Sequence, residues 1–427
     1  MKWLKETKLK WLFVFMACLL ITGYFHSGKK INGVIWSDQE GYYIYLPAIF
    51  INDGFENLYC FNGCTEVQTE NGERIFTKYT YGVALLESPF FLVAHAIAPV
   101  LGYEKNGRTL PYIWAIMIAA IFYMLAGLYL IGRLLRELRF GDTVSWLVPL
   151  GLLLGTNLLY YTFREAGMSH VYSFFLFVIL IYSSHRKWES NKLRWDVISA
   201  VSLAIIVLIR PTNAIAILIP LLWGIDPKNI LHQARKFATD SRWILIFIVV
   251  SIIIFTPQLL YWKALTGSYL FYSYGSEGFL YWNSPKMFQV LLSPQNGWLV
   301  YSPIAIIGLV GIGLMIKEHK TGWLLPTALL TLATYVFGSW WAWWFGGAFG
   351  HRCYVDFLPL LAVPAAVAVS KIQLAPKLVK KLIAGVVFLA VFVNIRMADI
   401  YHGMWDGPNW GWYNYLDKVC EVFYLAN

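Results

Sequence analysis

Two carboxylates, Asp38 and Glu40, stand one residue apart in Trp36-Ser37-Asp38-Gln39-Glu40-Gly41-Tyr42-Tyr43, just past the first long apolar segment of the chain. A charge at the rim of such a segment is costly unless solvated or paired, so a pair held there among aromatic residues marks a functional site. On an extended or turn segment the two point the same way, which lets one face a cavity while the other caps or orients. Partial burial among Tyr42-Tyr43-Ile44-Tyr45-Leu46-Pro47-Ala48 would raise a carboxylate toward a useful general base. A solvated loop carboxylate is the plain alternative, and these packed surroundings argue against it.

A second constellation is Phe345-Gly346-Gly347-Ala348-Phe349-Gly350-His351-Arg352, preceded by Ser339-Trp340-Trp341-Ala342-Trp343-Trp344. Glycines admit unusual dihedrals and close approach, and the adjacent His351 and Arg352 offer donors to an anion such as a lipid phosphate. The competing reading is an aromatic belt with an Arg reaching toward headgroups. Lys78, His95, Arg164, Glu165, His170, Arg210 and Asn213 add polar groups at the ends of apolar segments. In Arg210-Pro211-Thr212-Asn213 the Arg calls for an acidic partner such as Glu165, or a bound phosphate. His95, alone on an apolar stretch, reads as a packing residue. In Thr266-Gly267-Ser268-Tyr269-Leu270-Phe271-Tyr272-Ser273-Tyr274 the rings and small polar residues suit sugar stacking, and equally an interfacial loop.

Several chemistries lack their signatures. There is no Gly-x-x-x-x-Gly-Lys-Ser/Thr loop, no His-Glu-x-x-His and no Gly-x-Ser-x-Gly, so ATP-driven transport and zinc hydrolysis lose support. Cys60 and Cys64 are the only close pair among five cysteines. With no His or second pair nearby they are poor zinc ligands, and a local disulfide or two free thiols remain open.

The elements that must position these groups are apolar. At 427 residues, 58% hydrophobic and 14% charged, with mean hydropathy +0.56, the chain reads as a single all-α, polytopic membrane domain over residues 1–427. About eleven spans are expected, at 11–26, 111–132, 143–161, 170–185, 196–210, 213–224, 243–262, 301–316, 322–338, 355–371 and 382–398. The basic residues 1–10 with the following apolar run form an uncleaved signal anchor, since no small-x-small cleavage site follows. With the N-terminus in the cytoplasm, most of the 34 Lys and Arg fall in cytoplasmic segments, as the positive-inside rule requires, and the C-terminus lies outside. The +10 net charge therefore reports orientation in a membrane and not a nucleic-acid partner. Residues 81–101 would break this parity by crossing, so they are laid in the interface or made re-entrant. Three long external loops result, 27–110, 263–300 and 339–355, and the aromatic tail 401–427 reads as an outer-surface anchor. The work is placed on the outer face.

Taken together, these residues resemble the GT-C superfamily of integral-membrane glycosyltransferases, which includes the protein O-mannosyltransferases and lipid A aminoarabinose transferases. The resemblance covers most of the chain: Asp38 after the first span, Tyr79-Thr80-Tyr81-Gly82 before an interfacial segment, the Arg-Pro-Thr break, and the Gly-Gly-Ala-Phe-Gly-His-Arg loop. Tyr42-Tyr43-Ile44-Tyr45-Leu46-Pro47-Ala48 and Ser169-His170-Val171-Tyr172-Ser173-Phe174-Phe175 look like bacterial members of the kind common in Bacteroidetes. The resemblance implies a helical bundle in a bacterial inner membrane that moves a sugar from a polyprenyl-phosphate donor to a lipid, glycan or protein acceptor on the periplasmic face, with no cofactor identified. Its acidic residue in the first external loop, the base in that family, maps to Asp38. Many relatives carry adjacent Asp-Glu where this chain has Asp-Gln-Glu, which leaves Asp38 and Glu40 both in play. Arg352, His351, Arg210 and Lys78 would hold the donor phosphate, and Tyr42, Tyr43, His170 and Tyr274 the substrate. One base without a paired nucleophile suggests inversion. A flippase or other transporter, and a ligase for a lipid-linked glycan, are the alternatives.

Overall fold

A computed structural model describes residues 2–27, 34–56, 58–69, 72–225, 227–401, 403, 405, 407 and 409–424. Helix α1 (Lys2–His26) leads into two short helices, α2 (Asp38–Tyr43) and α3 (Tyr45–Phe50), then an antiparallel hairpin of β1 (Thr65–Thr69) and β2 (Gly72–Phe76). The hairpin pairs Thr65 with Phe76 and Thr69 with Gly72, a small exception to the all-α expectation. Then follow α4 (Gly82–Ile97), α5 (Leu110–Glu137), α6 (Asp142–Leu154), α7 (Leu158–Phe163), α8 (Ser169–Ser190), α9 (Leu193–Ile209), α10 (Leu218–Leu222), α11 (Ile230–Ala238) and α12 (Ser241–Thr266). The chain continues through α13 (Met287–Leu292), α14 (Trp298–Tyr301), α15 (Ala305–Lys317), α16 (Leu324–Ser339), α17 (Ala362–Leu374), α18 (Lys377–Ile400) and α19 (Trp412–Glu421).

Among the described residues, α5, α12 and α18 are long and apolar enough to cross a membrane. They differ in surroundings. Two-thirds of the apolar window of α5 is buried inside the protein, whereas α12 and α18 turn most of their apolar surface outward. Exposed Leu, Ile, Val and Phe side chains along α12 and α18 suit lipid as solvent, because water would make them costly. Other apolar helices, of 10 to 17 residues, include α4, α6, α15 and α16.

Three expected spans are broken, each for a local reason. The 143–161 segment divides into α6 and α7 at Gly155-Thr156-Asn157. There a side chain on Gly155 would collide with Ile304, and the Asn157 N–H is taken by the Ser302 hydroxyl. The 213–224 segment is a 3-10 turn (Pro211–Ile217) before the five residues of α10, since Pro211 cannot extend α9. The 355–371 segment opens with two 3-10 turns, Arg352–Val355 and Leu358–Leu361, before α17.

Two ends of the bundle can be told apart. At one end, called here the site end, the α1 C-terminus meets the α7–α8 junction, where Arg164 donates to the Phe25 carbonyl. At the other, Glu137 of α5 meets Arg186 of α8, and Lys187 and Arg242 close on the buried Asp196. Helix α4 runs antiparallel along the first half of α5: the Tyr123 hydroxyl donates to the Leu86 carbonyl, and His95 Nδ1 is 2.7 Å from the Tyr112 hydroxyl. Thr80, before α4, donates to the Leu208 carbonyl at the end of α9. Gly107, after α4, accepts from Tyr43. Helix α4 thus begins beside the C-terminal end of α9 and ends beside the start of α5.

Candidate active site

Asp38 is the first residue of α2, and its Oδ2 lies 3.1 Å from Nη1 of Arg352. The side chains are 28% and 19% exposed, so the pair is reachable from outside without being fully solvated. Arg352 opens the 3-10 turn Arg352–Val355, which the glycine loop aims at α2. Gly350 makes that aim possible: its φ is +67, and a Cβ there would come within 2.6 Å of the Tyr301 Cβ. Around Asp38, desolvation pushes the carboxyl pKa up. The Arg352 guanidinium, the Tyr79 hydroxyl and the Lys78 ammonium together outweigh it and hold the group below the usual Asp value.

Lys78 stands at the rim, 3.2 Å from Glu277 and over the rings of Tyr79 and Tyr274 at 5.6 and 5.3 Å. Tyr42 packs on Tyr79 with ring centroids 4.3 Å apart, and Tyr274 meets Tyr79 edge-on. Burial pushes the Tyr79 and Tyr274 hydroxyls upward, so both stay protonated donors. These residues, with Arg352, form one wall of aromatic rings and cations facing Asp38.

Arg210 is anchored behind this wall. It donates to Cys353 Sγ at 3.0 Å and lies 3.8 Å from Asp356. The expected partner, Glu165, is not the one used. Asp356 is fully buried and also binds His170 Nδ1 at 3.0 Å and the Asn213 amide at 2.8 Å. His170, proposed for substrate, is therefore part of this buried network and 1% exposed.

Three other expectations change with the geometry. The 38–43 segment is helical and not extended, so Asp38 and Glu40 diverge. Glu40 is fully buried and its carboxylate accepts from the backbone N–H groups of Phe61, Asn62 and Gly63 at 2.9, 3.0 and 3.2 Å, and from Arg108 at 2.7 Å. Tyr43 turns away toward Phe91 and donates to the Gly107 carbonyl. His351 packs between Phe337 and Phe345 with Nε2 3.1 Å from the Trp343 carbonyl. Burial pushes its pKa down to about 3, so it brings no charge to a phosphate.

Glu165, one of the polar groups at the ends of apolar segments, belongs to the Asp38 side and not to Arg210. It lies in the break between α7 and α8 and receives the Tyr160 hydroxyl at 3.0 Å. Burial and the nearby Asp38 raise its pKa to about 7, against the pull of Arg352 and Arg164. The available signal was its position: an acid flanked by Arg164 in a short break between two apolar runs.

Among the described residues, the group with metal-ligand spacing is Glu137, His185 and Glu189, at the far end. Arg133 and Arg186 already neutralise its carboxylates, which makes it an ion-pair network. Cys60 and Cys64 are joined as a disulfide, settling the alternative left open by their spacing.

No family model matches the chain, and no curated protein matches it. Among solved structures it is similar to the oligosaccharyltransferase of Archaeoglobus fulgidus in its apo form, with 13% sequence identity and a TM-score of 0.48. The match covers 97% of this chain and 56% of that one, so the chain spans little over half the length of that neighbour. A likeness at that identity and score assigns neither an activity nor a family.

Proposed function

We propose that the protein is a GT-C-type membrane glycosyltransferase that moves a sugar from a polyprenyl-phosphate donor to an acceptor hydroxyl, with Asp38 as general base. The observation that carries this reading is the Asp38–Arg352 contact, which joins an acid and a guanidinium from opposite ends of the chain at a partly open position. The acceptor oxygen forms the new bond to the anomeric carbon while the bond to the phosphate oxygen breaks. The hydroxyl proton passes to Asp38, and the phosphate leaves with the bonding electrons. Inversion follows from a single displacement.

The resting ion pair has a role in this scheme. While Arg352 holds Asp38, the carboxylate is ionised but weakly basic. A donor phosphate drawing Arg352 and Lys78 toward itself frees Asp38 of part of that field and makes it more basic when the acceptor is in place. The same cations stabilise the charge gathering on the leaving phosphate. Glu165, at about 7, is suited to pass the proton onward. Outer-face action in a bacterial inner membrane, with the N-terminus in the cytoplasm and the C-terminus in the periplasm, belongs to the same reading and is supported by the charge distribution along the chain.

Purified protein in detergent, supplied with polyprenyl-phosphate sugars and hydroxyl acceptors, is expected to release polyprenyl phosphate. Asp38→Asn should lower the rate by roughly 10² to 10⁴-fold, the usual worth of a positioned base. Undiminished transfer by that variant overturns the assignment. Because a detergent solution has no two sides, turnover there also separates an enzyme from a flippase.

A further inference from the structure

The loop lying under α2 grips the segment that carries Asp38 at several points. All the acceptor capacity of Glu40 is taken up: by three consecutive backbone N–H groups of this loop, Phe61, Asn62 and Gly63, and by Arg108, just before α5. A carboxylate so occupied has nothing left for a substrate. Those three residues are the ones enclosed between Cys60 and Cys64, so the disulfide closes the curve that makes their N–H groups converge.

The same loop reaches the residue before Asp38. The Asn62 side-chain carbonyl accepts from the Ser37 N–H at 2.7 Å, and Ser37 is held at φ +53, a left-handed conformation that a serine adopts only when its surroundings impose it. Gly63 lies flush on α2, where a Cβ would come 2.6 Å from the Gly41 nitrogen and 2.9 Å from the Glu40 Cβ. Gly41 in turn sits where a Cβ would meet Tyr79 at 2.5 Å, so the loop, α2 and the Tyr79 wall form one stack with no slack.

We propose that Glu40, the Cys60–Cys64 loop and Arg108 form a clamp that fixes α2 and thereby sets the Asp38 carboxylate against Arg352. Glu40 is then a positioning residue, and the thiol–disulfide state of the loop governs the geometry of the site. The inference rests on the reading of Asp38 as base for its kinetic consequences, though not for its structural ones. Reduction opens the ring and leaves three N–H groups free to turn to water. Glu40 then keeps only Arg108, Ser37 relaxes, and Asp38 swings. The groups facing Asp38 from the packed elements are Arg352, Lys78, Tyr79, Tyr42, Tyr274 and Glu165. Of these, Arg352 contributes the strongest hold on its ionised form.

The test uses full-length protein in detergent: oxidised wild type, wild type treated with a phosphine reductant, Cys60→Ser/Cys64→Ser with and without reductant, and Glu40→Gln. Hydrogen exchange of the peptides covering 34–46 and 60–64 should speed up on reduction of the wild type and in Glu40→Gln. Reductant should change nothing further in the double serine variant. Transfer should fall roughly 10²-fold, the cost of about 1 Å of misplacement, and in a Glu165→Gln background, where Asp38 alone sets the acid limb of the pH–rate profile, that limb should move to higher pH as Asp38 leaves the guanidinium. A loop that served stability alone would lose amplitude at every pH with the limb unmoved, and that result overturns the positioning role. Exchange unchanged by reduction and by Glu40→Gln overturns the clamp outright. Asp38→Asn assayed alongside keeps the two readings apart: if it transfers at full rate, Asp38 is not the base and the exchange data alone decide the clamp.

Discussion

At the scale of single residues, the site is an exercise in where charge is allowed to rest. Asp356 sits at zero exposure with Arg210, His170 and Asn213 around it, so its charge is compensated from three directions. Removing that charge leaves Arg210 buried and underpaired, a change that costs roughly 3–5 kcal/mol in comparable cases. Asp356→Asn should therefore show a clearly lowered unfolding temperature in detergent, with activity falling in step. Arg352→Lys should behave differently: folding is kept, while transfer falls because an ammonium lacks the planar fork that serves carboxylate and phosphate alike. Glu165 provides a pH signature. A group with a pKa of about 7 that must be ionised to accept a proton makes the rate climb as pH rises through 7. Glu165→Gln should abolish that limb, and a profile identical to wild type would remove Glu165 from the proton path.

Elements decide whether these residues meet. Asp38 and Glu40 were legible as important because acids are conspicuous beside an apolar run. Their division of labour was not, since it depends on α2 being one and a half turns of helix and on a loop some twenty residues later that receives Glu40. Likewise His351 and Arg352 are neighbours in sequence, yet the turn at 350–352 sends one into a nest of rings and the other to Asp38. Gly350 carries that turn. Gly350→Ala puts a methyl group against Tyr301 at a left-handed φ, strain of about 1–3 kcal/mol. Its expected effect is a lowered melting temperature with a larger loss of transfer than a surface Gly→Ala produces, because the Arg352 turn moves with it. The break at 155–157 escaped the apolar pattern for a related reason, as did the 3-10 form of the segment after the Arg-Pro-Thr break: hydropathy registers burial and says little about whether a buried stretch is one helix or two.

Across the whole molecule, two chemically distinct ends stand apart. The far end collects Arg133, Arg186, Lys187 and Arg242 around Glu137 and Asp196, while the site end collects aromatic rings and the Asp38–Arg352 pair. If the basic end faces the cytoplasm, cysteines introduced one at a time into a background lacking the free thiols at 18, 353 and 420 should label asymmetrically. A cysteine at Glu104, in the loop before α5, should react with a membrane-impermeant maleimide in intact cells, and one at His319 only after permeabilisation. The reverse pattern would invert the topology and move the proposed chemistry to the cytoplasmic side.

Length, apolar content and the spacing of charges were enough to read a helical, membrane-type chain with its polar residues gathered at helix ends, because the cost of burying a side chain depends mainly on what that side chain is. The same residue-type logic drew Asp38, Arg352, Lys78 and Arg210 out of the chain. Only the tertiary structure decided who partners whom: Asp38 with Arg352, Arg210 with Asp356, Glu40 with the disulfide loop. Hydrogen bonds and ion pairs are short-ranged and directional, so a pairing across hundreds of residues is settled by how helices pack and where turns point, and leaves no mark in either local stretch of sequence.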